Sequence, residues 1–431
     1  MNNPNNPKLI PRLRFPEFQQ DGEWVEKRLG EIAELIKEKV GNKKLLTLSV
    51  TSGIGLVSQI EKFGRDISGS QYKNYYVVQR FDFAYNKSST KSFPEGFIAM
   101  VKDFDIACVP NSIFICFRPN CLIIYPLFLN YIFENNHHGK HLRNYIEVGA
   151  RAHGALNVDT EILFSIPIKI PSLAEQQKIA ACLSSLDELI EAETQKLELW
   201  QTHKKGLLQQ LFPQEGEKVP RLRFPEFQQD GEWEEKELRQ IAVSYNGLTG
   251  KISSDFGSGE PYITYMQVFG NSRIDFSKCG LVKIKPNESQ NKVEKGDVLI
   301  TTSSETPDEV GYASVVTEEP SLPTYLNSFC FGIRFKSKDK IFPEFLCYLF
   351  RSEIYRKRVT VLAQGITRFN ISKQAFFGIE IPLPSLAEQQ KIAVCLSSLD
   401  ELIEAQREKI ELLKLHKKGL LQGLFPEITN L

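Results

Sequence analysis

Residues Pro171 to Pro213 and Pro384 to Pro426 are two copies of one segment, identical at roughly 34 of about 43 positions. The first reads PSLAEQQKIAACLSSLDELIEAETQKLELWQTHKKGLLQQLFP and the second PSLAEQQKIAVCLSSLDELIEAQREKIELLKLHKKGLLQGLFP. Each copy predicts one long helix. Ser172 and Ser385 are placed to cap it, and Glu175 and Glu388 follow three residues later, the spacing of a capping box. Phe212-Pro213 and Phe425-Pro426 stop it, because proline cannot continue a helix. A helix of about 40 residues would run about 60 Å, well beyond the usual globular length, so it needs a partner along its side.

The partner is predicted to be the other copy. Ile179, Leu183, Leu186, Ile190, Glu193, Leu197, Trp200, Lys204, Leu207 and Leu211 step by alternating fours and threes, the spacing of a coiled-coil seam. The second copy repeats the stripe from Ile392 to Leu424, with Gln406 and Lys417 at the matching polar places. Polar seam residues set register. An antiparallel pairing that faces Glu193 with Lys417 also faces Lys204 with Gln406, Leu186 with Leu424 and Leu211 with Leu399, and it leaves no apolar seam residue against a charge.

A second repeat precedes each variable stretch. IPRLRFPEFQQDGEWVEKRLGEIA, Ile10 to Ala33, returns as VPRLRFPEFQQDGEWEEKELRQIA, Val219 to Ala242. Its arginines and aromatics (Arg14, Phe15, Trp24; Arg223, Phe224, Trp233) could form a basic-aromatic surface, but aromatics held between prolines and an Asp-Gly turn favour a structural clasp. Between clasp and helix, Glu34–Phe164 and Val243–Glu380 share an order of elements but little sequence. Strands are expected at LLTLSV, NYYVVQ, FDFAYN, GFIAMV and SIFICFRP, and then at PYITYMQV, KGDVLITTSS, GYASVV and FCFGIRFK. Each set is followed by a helical run, 126–146 and 342–362. The chain therefore divides into 1–164, clasp and first variable domain; 165–213, first long helix; 214–380, linker, second clasp and second variable domain; and 381–431, second long helix. The fold class is α+β: two pseudo-symmetric halves, each a mixed α/β domain followed by a long helix, the helices forming an antiparallel coiled coil. That arrangement would set the variable domains at opposite ends about a pseudo-two-fold axis.

With 53 Lys+Arg and 53 Asp+Glu, the formal charge is zero, so no global field draws the chain to nucleic acid. The variable segments are only slightly basic, and a nucleic-acid surface must be a local patch. The 8 cysteines lack zinc spacing and read as reduced thiols of a cytoplasmic protein. No run is apolar enough for a signal peptide or a membrane span. Gly247-Leu-Thr-Gly-Lys-Ile fails the phosphate-loop pattern, Pro307-Asp308-Glu309 reads as a turn, and His137, His138, His141 and His153 read as surface residues rather than metal ligands. No catalytic constellation, cofactor site or metal site is expected.

The RFPEFxxxGEW segments, the IPxPSLAEQQKIAxxLSSLDELI helix starts and the KKGLLQxLFP helix ends, each present twice, resemble the specificity subunit of type I restriction–modification systems over essentially the full length. The resemblance implies that each variable domain is a target recognition domain reading half of a bipartite site in double-stranded DNA. It implies that the helices form a spacer and dock modification (methyltransferase) subunits, two in number, which hold S-adenosylmethionine. It further implies that restriction subunits with translocase and nuclease activity join that core and that the subunit itself is not an enzyme. Recognition loops in the family follow strands and precede the last strand of each domain. On that basis Asn86, Lys87, Ser88, Lys91, Arg151, His153 and Asn157 are the first set of DNA-binding candidates, and Thr302, Ser303, Ser304, Gln364, Thr367, Arg368 and Asn370 the second. Arg, Asn and Gln can read base edges, and Ser and Lys can hold phosphates. Two other classes compete: a coiled-coil adaptor that assembles proteins without DNA readout, and, more remotely, a stand-alone nuclease. Half-sites one helical turn apart lie about 34 Å apart, comparable with the predicted helix overlap of about 39 Å. Inserting one helical turn after Glu198 is expected to lengthen the unread spacer and leave both half-sites unchanged. Mapping of methylated adenines that showed altered bases at constant spacing would count against this.

Overall fold

The structure, a computed structural model, describes residues 9–51, 53–146, 156–337 and 339–426. It divides into two compact units. One comprises Met1–Glu193 with Lys409–Leu431, the other Thr194–Glu408. Helices Leu173–Gln210 and Leu386–Leu424 are continuous over 38 and 39 residues, as the repeats predict. Each begins in one unit and ends in the other.

Within the first unit a four-stranded antiparallel sheet runs in the order Ala33–Leu35, Phe114–Pro119, Phe83–Asn86, Phe97–Met100. Val25–Arg28, which leaves the clasp, pairs with Pro167–Ile170, which enters the long helix. The core packs Trp24, Phe83, Phe117, Phe128 and Phe133 against Ile179 and Leu183 of the first long helix and Leu424 and Phe425 of the second. The second unit repeats the plan. Its sheet runs Ala242–Asn246, Cys330–Phe335, Val298–Thr301, Ala313–Val315, and Glu234–Glu237 pairs with Glu380–Leu383. Trp233 and Phe345 pack with Leu211, Phe212, Ile392 and Leu396.

The repeated residues explain why both units take this form. Ser172 and Ser385 cap the helices, accepting from the Glu175 and Glu388 amides at 3.4 and 3.3 Å. The two glutamates do not complete the predicted boxes. Glu175 instead takes a bidentate pair from Arg14 at 2.8 and 2.7 Å, and Glu388 takes the same pair from Arg223. Each arginine also donates to two clasp carbonyls, those of Asp21 and Gly22 or of Asp230 and Gly231. A buried carboxylate is satisfied better by a guanidinium fork than by one amide. The next residue, Gln176 or Gln389, bonds the backbone at the start of the domain helix, accepting from Tyr125 N or Phe342 N at 2.8 and 2.9 Å. The basic-aromatic clasp is therefore structural.

The helix pair is antiparallel, but in another register from the one predicted. Lys417 bonds Asp187 at 2.6 Å and Glu134 at 3.0 Å in the first unit, and Lys204 bonds Asp400 in the second. Glu193 meets Lys409 at 2.5 Å, not Lys417, and Lys204 lies against Asp400 rather than Gln406. Leu424 accordingly joins the cluster of Ile179 and Leu183, and Leu211 that of Ile392 and Leu396. The predicted register gave a carboxylate to only one of the two lysines. The observed one serves both, using aspartates that flank the seam. Tyr131 and Tyr348, from the domain helices, donate to the same two aspartates at 2.8 Å each.

Two smaller expectations change. PYITYMQV holds the end of strand Phe256–Ile263 and then a helix, Tyr265–Gly270. Each predicted domain helix is two, Pro126–Glu134 with His137–Leu142, and Pro343–Arg351 with Glu353–Thr360. The breaks fall at left-handed Asn136 (φ 53) and extended Ser352 (ψ 151).

Arg14 and Glu175 are 7% and 0% exposed. Removing one member of such a pair strands a buried charge, at a cost of about 3–5 kcal/mol. Glu175→Gln is expected to lower the unfolding transition of the first unit by about 3 kcal/mol, and Glu388→Gln that of the second. A loss below about 0.5 kcal/mol in denaturant titration would show that the pins are dispensable.

Candidate nucleic-acid interface

In the first unit the strand Phe83–Asn86 runs into the loop that carries Lys87, Ser88 and Lys91. The loop is fixed at both ends. Asn86, a predicted DNA contact, is buried, and its side-chain oxygen accepts from Ser88 N at 2.9 Å. At the far end Gly96 has φ 85, and a Cβ there would lie 2.6 Å from the Asn86 carbonyl. Tyr85 donates its hydroxyl to the Glu95 carbonyl at 2.8 Å, and the Glu95 carboxylate pairs with Arg143. Lys91 is exposed, and Lys87 and Ser88 are half-buried. Exposed Asn157 returns beside them, because Leu156 N donates to the Lys87 carbonyl at 2.8 Å. Arg151 and His153 lie outside the described residues. Asn86 thus shapes the loop while its side chain faces away from solvent.

In the second unit Ser303–Ser304 pairs antiparallel with Phe369–Asn370. Ser303 and Ser304 are buried, and Ser304 donates to Glu309 at 2.5 Å. These two nominated residues therefore form the base on which the exposed ones stand. Gln364 and Asn370 exchange both backbone hydrogen bonds, at 2.9 and 2.8 Å, closing a hairpin over 364–370. Gln364, Thr367, Arg368 and Asn370 are exposed on it. The Arg368 guanidinium lies 4.9 Å from the Phe329 ring centre. Thr302 is tied to the same segment by its hydroxyl, which donates to the Phe329 carbonyl at 2.8 Å. Those nominated side chains that lie among the described residues are thus brought, in each unit, to one loop cluster. The anchors Glu95, Gly96, Arg143 and Gly365 were not nominated. Of these only the glycines, beside the candidate loops, leave a sequence signal.

Behind both clusters stands one ion pair. Arg118 makes a bidentate pair with Asp82 at 2.7 and 2.8 Å, and Arg334 with Asp297 at 2.9 and 2.8 Å. Each aspartate is buried in front of the strand that feeds the loop. The residue before it has positive φ, Phe81 at 73° and Gly296 at 90°. The described histidines do not line a surface together: His138 is 2% exposed, and His141 bonds Ser165 at 3.0 Å; His153 lies outside the described residues.

Residues 21–199 and 230–415 both match the family described as type I restriction modification DNA specificity domain. The chain belongs to this family. It is 27% identical over 292 residues to the MjaVIII specificity subunit of Methanocaldococcus jannaschii, a match covering 65% of this chain and 66% of that relative. It is 29% identical over 159 residues to the EcoKI specificity subunit of Escherichia coli K12, covering 36% and 32%. Its fold is similar to that of a chain in a type I restriction–modification assembly (TM-score 0.56, 20% identity, covering 95% of this chain and 98% of that one). It is likewise similar to the S subunit from M. genitalium (TM-score 0.54, 16% identity, 97% and 100%).

Burial pushes the His138 imidazole down to about 4, outweighing the pull of Gly96 and Glu95. His138 is neutral in the fold, whereas the unfolded chain takes up a proton below about pH 6.5. Stability is therefore full above that pH and falls as pH drops toward 4. The loss at pH 5 is roughly 2 kcal/mol from this residue alone. His138→Gln is expected to flatten the acid dependence of the first unit's melting temperature. An unchanged slope would contradict the assignment.

Proposed function

We propose that this chain is the sequence-reading subunit of a type I restriction–modification complex and that its two variable domains each read one half of a bipartite site in double-stranded DNA. One observation carries the reading. Two units share the Arg–Glu pin, the glutamine tie to the domain helix and the aspartate–lysine–tyrosine junction, yet present unlike loops at the same strand ends. A scaffold used twice to hold different loops fits two different half-sites. Lys87, Ser88, Lys91 and Asn157 in the first unit are assigned to the DNA, with Arg151 and His153 of the same segment. Thr302, Gln364, Thr367, Arg368 and Asn370 serve in the second. Asn86, Ser303 and Ser304 support them.

The duplicated helices dock two methyltransferase subunits and set the number of unread base pairs, and restriction subunits join through that complex. Catalysis resides in the partners, and the assembly works in the cytoplasm. The variable domains correspond to 34–164 and 243–380.

Arg368→Ala, in the complex with the methyltransferase subunits, is expected to cost about 1–3 kcal/mol of DNA binding and to relax one half of the methylated motif only. Lys91→Ala is expected to weaken binding to all sequences and to reduce the salt slope by about 1. A complex that forms but binds all DNA alike would favour the protein adaptor.

A further inference from the structure

At the tip of the 364–370 hairpin stands Ile366, 94% exposed, the barest large apolar side chain among the described residues. Isolated apolar residues on a surface are ordinary. This one is set apart by how firmly it is held. The hairpin is closed by the reciprocal Gln364–Asn370 bonds and continues into the Ser303–Asn370 and Ser304–Phe369 ladder. Gly365, the residue before the tip, has φ 146, and a Cβ there would lie 1.9 Å from the Arg368 carbonyl. Only glycine allows so tight a turn. Arg368, just beyond the tip, is steadied over Phe329. The side chain is β-branched and therefore stiff. A rigid tip that holds one aliphatic group in water, ringed by Gln364, Thr367, Arg368 and Asn370, is too small and too polar at its rim for a protein interface.

The surroundings suit a DNA groove. A two-stranded ribbon fits the major groove, which is about 12 Å wide. The only apolar feature that distinguishes a base pair there is the C5-methyl of thymine. We infer that Ile366 reads a thymine methyl group in the major groove of one half-site, a specificity contact beside the polar ones. This rests on the DNA-reading assignment above. The contact is van der Waals and hydrophobic: water leaves the Ile366 side chain and the methyl together, while the amide and guanidinium groups around the tip keep polar partners on base edges and phosphates.

The test uses the full chain in complex with its methyltransferase subunits and a duplex carrying its methylated motif. Each thymine of the motif is replaced singly by deoxyuridine, which removes only the methyl. One position is expected to weaken wild-type binding roughly three- to tenfold, the scale of a buried methyl or two. Ile366→Ala should lose a similar factor on the thymine duplex and be indifferent to deoxyuridine at that position, while Ile366→Val keeps most of the affinity. Ile366 is exposed, so all variants should melt with the parent. The inference is overturned if Ile366→Ala binds as the parent does. It is equally overturned if the variant's loss is coupled to no deoxyuridine position, which would point instead to a wedge between base pairs. Failure of the underlying reading is distinguishable, because the parent complex would then show no sequence preference before any variant is made.

Discussion

In each unit one aspartate is the meeting point of three elements. Asp187 receives Lys417 from the opposing helix and the Tyr131 hydroxyl from the domain helix. Asp400 receives Lys204, Tyr348 and the Ser272 hydroxyl. Because the segment is duplicated, each long helix carries one such aspartate and one such lysine. They are about 17 residues apart on the same helix, roughly 25 Å at ~1.5 Å per residue, so no helix can satisfy its own pair. The lysine of one copy can reach only the aspartate of the other. The exchange is reciprocal, and it fixes direction and register together. Burial of Lys417 favours its neutral form, but Glu134 and Asp187 outweigh that and hold its pKa above the usual value. The ammonium therefore stays charged where it is needed.

The rest of the scaffold follows from the repeated residues nearest that junction. The Arg–Glu pin attaches the clasp to the first turn of the helix, and the adjacent glutamine attaches the domain helix. The tryptophan seals the core against the Phe-Pro end of a long helix. In the first unit that end, Leu424 and Phe425, comes from near the C-terminus of the chain; in the second, Leu211 and Phe212 come from the middle. With clasp, helix start and helix end all fixed, the domain between them need only keep a four-stranded sheet and a buried aspartate paired to an arginine. Its loops are left open to change, as the unlike loops after the matching strands, 87–96 and 302–312, illustrate.

Much of this was legible in the sequence, for identifiable reasons. The helices announced themselves by period, length and flanking prolines, and most strands by short apolar runs between turns. The register did not, because seam periodicity is satisfied at more than one offset. The residues that decide it, Asp187 and Asp400, sit beside the seam and are completed by tyrosines distant in sequence. The capping glutamates misled in the same way: spacing proposed a local bond, and a long-range arginine took it. At the candidate interface the sequence pointed to loops but could not separate exposed residues from buried supports. Asn86, Ser303 and Ser304 look like DNA-facing polar residues until the fold buries them. Ile366 offered no polar chemistry to notice, and only its exposure on a closed hairpin singles it out.

The most direct test of the account replaces Val243–Phe377 with the chain's own Glu34–Phe164, keeping both clasps and both long helices, and maps the methylated motif of the resulting complex. If each domain reads its half independently on a common scaffold, the motif becomes symmetric, with the first half-site present twice. A motif that keeps two unlike halves, or in which both halves change, would contradict it.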